Sequence, residues 1–139
     1  MKWDELIEKV RGLNDERVAL IKREGQQAIA AAFKEVFDAY PELESVSWTQ
    51  YTPYFNDGDA CTFAVHDFDS AVVDGEEVEE PYYADKDSPL KPGLVKALSK
   101  LNNSIGASAM SDTMELIFGD HAKVTATRNG FEVDEYSHD

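Results

Sequence analysis

Lys123-Val-Thr-Ala-Thr-Arg-Asn-Gly-Phe-Glu-Val-Asp-Glu-Tyr136 decides the fold class. Small or apolar residues alternate with polar ones on both sides of Asn129-Gly130. Asn-Gly tolerates the positive φ angles of a tight hairpin turn, so the stretch predicts two antiparallel strands, Lys123–Thr127 and Phe131–Tyr136. A second alternation lies upstream, where Val46, Trp48, Gln50 and Thr52 interleave with Ser45, Ser47, Thr49 and Tyr51. That period of two is the mark of a strand with one buried face. Thr62–His66 is another extended run, and the turn-rich Pro53–Asp59 joins the two as a hairpin with a longer loop. Val72-Val73 allows one more short strand. The acidic run from there through Asp87 reads as a surface loop, with Pro81 and Pro89 excluding regular structure.

Helices occupy the remainder. Trp3, Leu6, Ile7 and Val10 form one apolar stripe at helical spacing. Val18, Ile21, Ile29, Phe33, Val36, Phe37 and Tyr40 continue the pattern until Pro41 stops it. Gly12 and Asn14 predict either two helices or one long helix kinked between them. Ala28 and Ala30-Ala31-Ala32 suit close packing against a neighbour. Pro92 opens a further helix with Leu94, Val95, Leu98, Leu101 and Ile105 inward, ended by Gly106. Ser111-Asp112 opens another with Met114, Ile117 and Phe118 inward, ended by Gly119. The order of helices, strands, helices, strands predicts an α+β fold. Its antiparallel sheet of about four strands, in two hairpins, is packed on one face by three to four helices. At 139 residues the chain reads as a single domain, 1–139.

Charge narrows the function. The chain has 28 Asp+Glu against 13 Lys+Arg, a formal net charge of -15. Nine of the acids fall between Asp67 and Leu90, with Lys86 as the sole base there. Such a surface repels nucleic-acid phosphates and anionic membranes, and attracts cations or a basic protein face. No window approaches the roughly 18 apolar residues of a membrane span. Met1–Val10 carries acids where a secretory signal needs an apolar run. Cys61 is the only cysteine, so no internal disulfide forms and a cytoplasmic, reducing location is expected.

Two segments are candidate contact surfaces. Trp48, Tyr51, Tyr54 and Phe55 crowd beside Asn56, Asp57 and Asp59 at a hairpin tip, the residue mixture that protein interfaces use. The plainer alternative makes these aromatics core and the acids turn formers. The second segment is the acidic run of Asp74, Glu76, Glu77, Glu79, Glu80, Asp85 and Asp87, which can steer a basic partner or imitate a row of phosphates. Its alternative is a solvated loop. Lys91, Lys96 and Lys100 form a small opposite patch suited to head-to-tail association or a small anion.

Asp57, Asp59, His66 and Asp67 are the candidates for a divalent metal and hydrolytic chemistry. An EF-hand register fails, because aligning its glycine on Gly58 puts Pro53 at the first ligand and Ala64 at the last. His121 sits at a helix-to-strand junction, His138 on the tail, and Asp120 reads as a turn residue. Cys61 has no His or Lys neighbour to lower its pKa and reads as a buried, inert thiol. The chain lacks a phosphate-binding glycine loop, a nucleophile elbow, HExxH and paired-cysteine zinc spacing. No cofactor is expected.

Tyr51-Thr-Pro-Tyr-Phe-Asn-Asp-Gly-Asp59 and Phe118-Gly-Asp-His-Ala-Lys-Val-Thr-Ala-Thr-Arg128 resemble small uncharacterised acidic proteins of tailed phages and some bacteria. The resemblance runs from about Trp48 to the C-terminus and carries no catalytic motif. It implies action by binding and blocking a host or defence protein. The expectation is therefore a non-enzymatic binding module, an inhibitor of a basic or nucleic-acid-binding host protein. A metal-dependent hydrolase is one alternative. The other is a self-assembling structural protein with the Lys96 face or the terminal strand at its interface.

Overall fold

The computed structural model describes residues 1–54, 58, 61–83 and 86–137. Helix α1 runs unbroken from Trp3 to Ala39. The interruption expected at Gly12–Asn14 does not form, because either residue in a helix interior costs only about 1 kcal/mol or less. Good helix formers on both sides carry the hydrogen-bond ladder through. The helix ends at Tyr40, whose N–H still reaches the Val36 carbonyl at 2.9 Å, just before Pro41.

Strands β1 (Leu43–Tyr51), β2 (Ala64–Val65), β3 (Ser70–Val73) and β4 (Glu76–Glu79) follow. Helix α2 (Pro92–Ile105), a 3-10 turn at Ser108–Met110, helix α3 (Ser111–Phe118) and strands β5 (Ala122–Thr127) and β6 (Gly130–Glu135) complete the chain. Every strand pairing is antiparallel, in the order β4-β3-β1-β5-β6, with β2 also on β1. The class is the α+β fold expected, with six strands instead of about four. The terminal hairpin forms with Thr127 opposite Gly130. The other expected hairpin shrinks to two residue pairs, Gln50–Val65 and Tyr51–Ala64, because β1 takes β5 and β3 as its main neighbours.

The acidic run is where expectation and structure part most. It contains a hairpin, β3–β4, closed by Asp74 and Gly75 at φ 51° and 80°. Asp-Gly between strands is the same turn chemistry as Asn-Gly, and the density of charge around it had masked the signal.

β1 is the central strand and its inward phase is Val46, Trp48 and Gln50. Helices α2 and α3 and the C-terminal half of α1 cover that side. Phe33 of α1 stacks on Trp48 at 5.7 Å, nearly parallel, while Phe118 and Phe131 meet the indole edge-on. Trp48 is fully buried, which overturns its assignment as a contact residue. Its neighbour in the alternation, Gln50, satisfies the polar atoms this burial strands. Gln50 accepts from the Trp48 indole at 3.1 Å and donates to the carbonyls of Met114 and Gly119 at 3.0 and 2.8 Å. The Gly119 carbonyl lies just past the end of α3, where such groups lack intrahelical partners. Arg128, in the β5–β6 turn, does the same for α1. Its guanidinium donates to the carbonyls of Phe37, Pro41 and Leu43 and lies over the Phe37 ring.

Candidate protein-binding surface

The three helices all pack on one face of the sheet. The outward phase of the strands therefore forms a second face, and the register identifies it. Ser45, Ser47 and Thr49 of β1 stand beside Thr127, Thr125 and Lys123 of β5. Ser47 and Ser45 pair on the other side with Ser70 and Val72 of β3. Beyond these, Glu79 and Glu77 of β4 form one rim, and Glu132 and Asp134 of β6 the other. The floor is thus mostly small hydroxyl side chains, with Val72 and Lys123 among them and Ser47 buried at its centre, and both rims are acidic. Four strand spacings separate the rims, about 19 Å. All four rim carboxylates are exposed, and Lys123 is the one cation on this face among the described strand residues.

The floor is internally hydrogen-bonded. The Ser47 hydroxyl donates to Asp69 at 2.7 Å and lies 3.0 Å from the Ser70 hydroxyl. The hairpin carrying the first rim is anchored at its turn. Gly75 N–H donates to the Glu44 carboxylate at 2.8 Å, and Asp74 N–H to the Glu42 carbonyl at 3.0 Å. Glu42 in turn holds Lys91 at 2.9 Å. The hydrogen bond from Lys91 draws the Glu42 carboxyl below its ordinary range, and the same bond raises Lys91. Among the described residues, Asp74, Glu76, Glu77, Glu79 and Glu80 form no ion pair with a cationic side chain.

Aromatic residues wall one end of the same face. Tyr51 continues its phase about 13 Å along β1 from Ser47. Its ring stacks on His66 at 4.2 Å and meets Tyr136 at 5.4 Å. Tyr54 is exposed and stacks on His121 at 4.9 Å. Asp120 fixes this corner, accepting from Thr52 N–H at 2.8 Å, Thr52 Oγ1 at 2.7 Å and His121 N–H at 2.8 Å. Burial pushes the Asp120 carboxyl upward, but the bonds from Thr52 and His121 outweigh it and leave the group below its ordinary value. A residue read as a simple turn former is therefore the clamp of the aromatic corner.

The other assignments fall as follows. Asp87 is exposed on the loop after β4. Phe55, Asn56, Asp57, Asp59, Asp85 and His138 lie outside the described residues. His66 and Asp67 enter separate partnerships: His66 against Tyr51, Asp67 accepting from the buried Asn102 amide at 3.0 Å and from Tyr82 at 3.4 Å. Burial, then the charges of Asp67 and Glu80, raise the Tyr82 hydroxyl above its ordinary pKa. No three His, Cys, Asp or Glu side chains cluster as metal ligands among the described residues. Cys61 is exposed, contrary to expectation, because its strand begins three residues later at Ala64. Lys96 and Lys100 line a shallow groove on α2 with Ser88, Val95 and Asn103, while Lys91 is engaged with Glu42. Sequence reading missed the hydroxyl floor and the second rim. Alternation had put Ser45, Ser47 and Thr49 on one face of the strand, but nothing in the order of strands placed Glu132 and Asp134 opposite Glu77 and Glu79.

Among the described residues, no helix is long and apolar enough to cross a membrane. No protein-family model, no curated protein and no solved structure matches the chain.

Proposed function

We propose that the protein is a non-catalytic binding module whose open sheet face receives a basic protein surface, as an inhibitor of a basic or nucleic-acid-binding partner. The observation that carries this reading is the pair of acidic rims, Glu77 and Glu79 against Glu132 and Asp134, flanking a hydroxyl floor. Asp74, Glu76, Glu80 and Asp87 extend the negative field around the β3–β4 side. Like charges fixed on a rigid sheet raise encounter rates with a cationic partner, and the small floor lets its backbone approach. Tyr51 and Tyr54 supply amphipathic rings at one end, the side chains that hold a complex once formed.

The test compares two sets of charge reversal. One variant carries Glu77→Lys, Glu79→Lys, Glu132→Lys and Asp134→Lys. The control carries the same number of reversals elsewhere, Glu24→Lys, Glu35→Lys, Asp112→Lys and Glu115→Lys. Pull-down from host lysate at low and high salt, read by mass spectrometry, should give a salt-sensitive stoichiometric partner. That partner should be lost with the first variant and kept with the control. Equal loss with both, or retention with both, overturns the reading.

A further inference from the structure

The first 18 residues of α1 contribute no fully buried side chain, and only Ile7 and Val18 among them are half-buried. Regular half-burial along the helix runs from Val18 through Ile21 to Gly25, where a Cβ on Gly25 would stand 2.9 Å from Ile117 of α3. Burial continues through Ile29, Phe33, Val36 and Phe37. Ahead of Ile21 stands a shaft of some 18 residues, about 27 Å long. It is not polar. Trp3, Leu6, Val10, Leu13 and Leu20 are 71, 41, 48, 64 and 48% exposed. At about 100° per residue these side chains make one stripe, roughly a third of a turn from the side that α1 buries on the body. The stripe therefore continues no core contact. Its spacing alternates three and four, with Arg17 completing the series, which is the seam of a coiled coil.

Charge is distributed to match. Residues 1–25 hold six acids (Asp4, Glu5, Glu8, Asp15, Glu16, Glu24) and six bases (Lys2, Lys9, Arg11, Arg17, Lys22, Arg23). Residues 1–25 are thus neutral, with three bases against five acids in the shaft itself, and residues 26–139 carry the entire net charge of -15. We propose that the shaft pairs with the shaft of a second copy, antiparallel, in a two-fold symmetric dimer. This goes beyond the open-face reading and uses none of its residues. Antiparallel pairing seats Val10 on the partner's Leu13, Trp3 on its Leu20 and Leu6 on its Arg17, and each contact recurs by symmetry. It also brings Lys9 opposite the partner's Glu16, twice. Lys2 comes opposite Arg23, whose guanidinium lies 3.9 Å from Glu24. The overlap of residues 3–20 ends where each body begins. A parallel pair would set two strongly negative bodies side by side, whereas the antiparallel pair holds them at opposite ends. The five stripe side chains expose on the order of 600 Å², close to the roughly 800 Å² each partner of a stable complex contributes.

Sedimentation equilibrium of the full chain at micromolar concentration should give a dimer. Val10→Glu and Leu13→Glu should each raise its dissociation constant by at least about 100-fold, a change of some 2.7 kcal/mol. Glu16→Lys should weaken it and the added Lys9→Glu restore it. The body of each variant should keep its thermal transition, since the shaft shares none of its core. Spin labels on Lys22→Cys, in a Cys61→Ser background, should lie about 30–35 Å apart across the dimer. A monomer at every concentration, or a dimer indifferent to Val10→Glu and Leu13→Glu, overturns the proposal. A label separation under about 25 Å overturns the antiparallel arrangement.

Discussion

The two halves of α1 share one hydrogen-bond ladder and have opposite surroundings. From Ile21 to Ala39 the helix gives Phe33, Val36 and Phe37 to the core and is closed at its end by Arg128. From Trp3 to Leu20 it presents a comparable set of apolar side chains to solvent. Apolar periodicity alone therefore states that a helix wants a partner. Which partner it finds depends on where the rest of the chain can reach. The sheet spans only the C-terminal half, so a second copy is the partner we assign to the other.

The largest effect should come from removing the contact that defines the buried half. Phe33→Ala takes away the ring stacked on Trp48 and should cost about 3–5 kcal/mol of unfolding free energy, measured by chemical denaturation. Leu13→Ala, a similar truncation in the shaft, should leave the unfolding free energy of the body within about 0.5 kcal/mol. Equal costs at the two sites would erase the distinction between the halves.

Acid should separate them next. Glu42 and Asp120 both have carboxyls held below their ordinary values of 4.5 and 3.8, by Lys91 and by Thr52 with His121. The folded state thus binds these protons more weakly than the unfolded chain. Their stabilisation is complete above those ordinary values and is lost as pH falls through the lower folded ones. Both anchor the body, one beside the β3–β4 turn and one at the aromatic corner. The body's melting temperature should accordingly drop below about pH 4.5. Glu42→Gln with Asp120→Asn should start lower and flatten that acid limb, and an unchanged limb would refute the assignment.

The smallest effect concerns the shaft alone. Gly12 has open space where a Cβ would stand and lies off the seam. Gly12→Ala should raise helicity by circular dichroism, adding about 0.5–1 kcal/mol to the shaft without moving the body's transition. A shift in that transition would mean that the halves unfold as one unit.

The fold class was legible because its signals are local. Asn129-Gly130 between alternating runs and the phase of Ser45–Tyr51 named three strands. Pro41, Pro92, Gly106 and Gly119 marked helix ends. The β3–β4 hairpin was equally local, yet Asp74-Gly75 was hidden by charge, since acids at an exposed edge strand are also what a loop would carry. Trp48 shows the converse limit. Its aromatic-rich segment suited a contact surface, and its position in the alternation suited the core; the phase was the stronger guide.

The sequence by itself determined the α+β class, the two-residue alternation of the main strands and the concentration of acid after Asp67. Each is carried by residues adjacent in the chain, whose geometry is fixed by backbone period or turn chemistry. Only the tertiary structure decided that β1 lies between β3 and β5, which puts Glu77 and Glu79 across a hydroxyl floor from Glu132 and Asp134. Only the tertiary structure divided α1 into a buried half and a bare shaft. Both depend on which strands pair at long range and how far the sheet extends, and burial of the same apolar area can be reached by many pairings that local pattern does not tell apart.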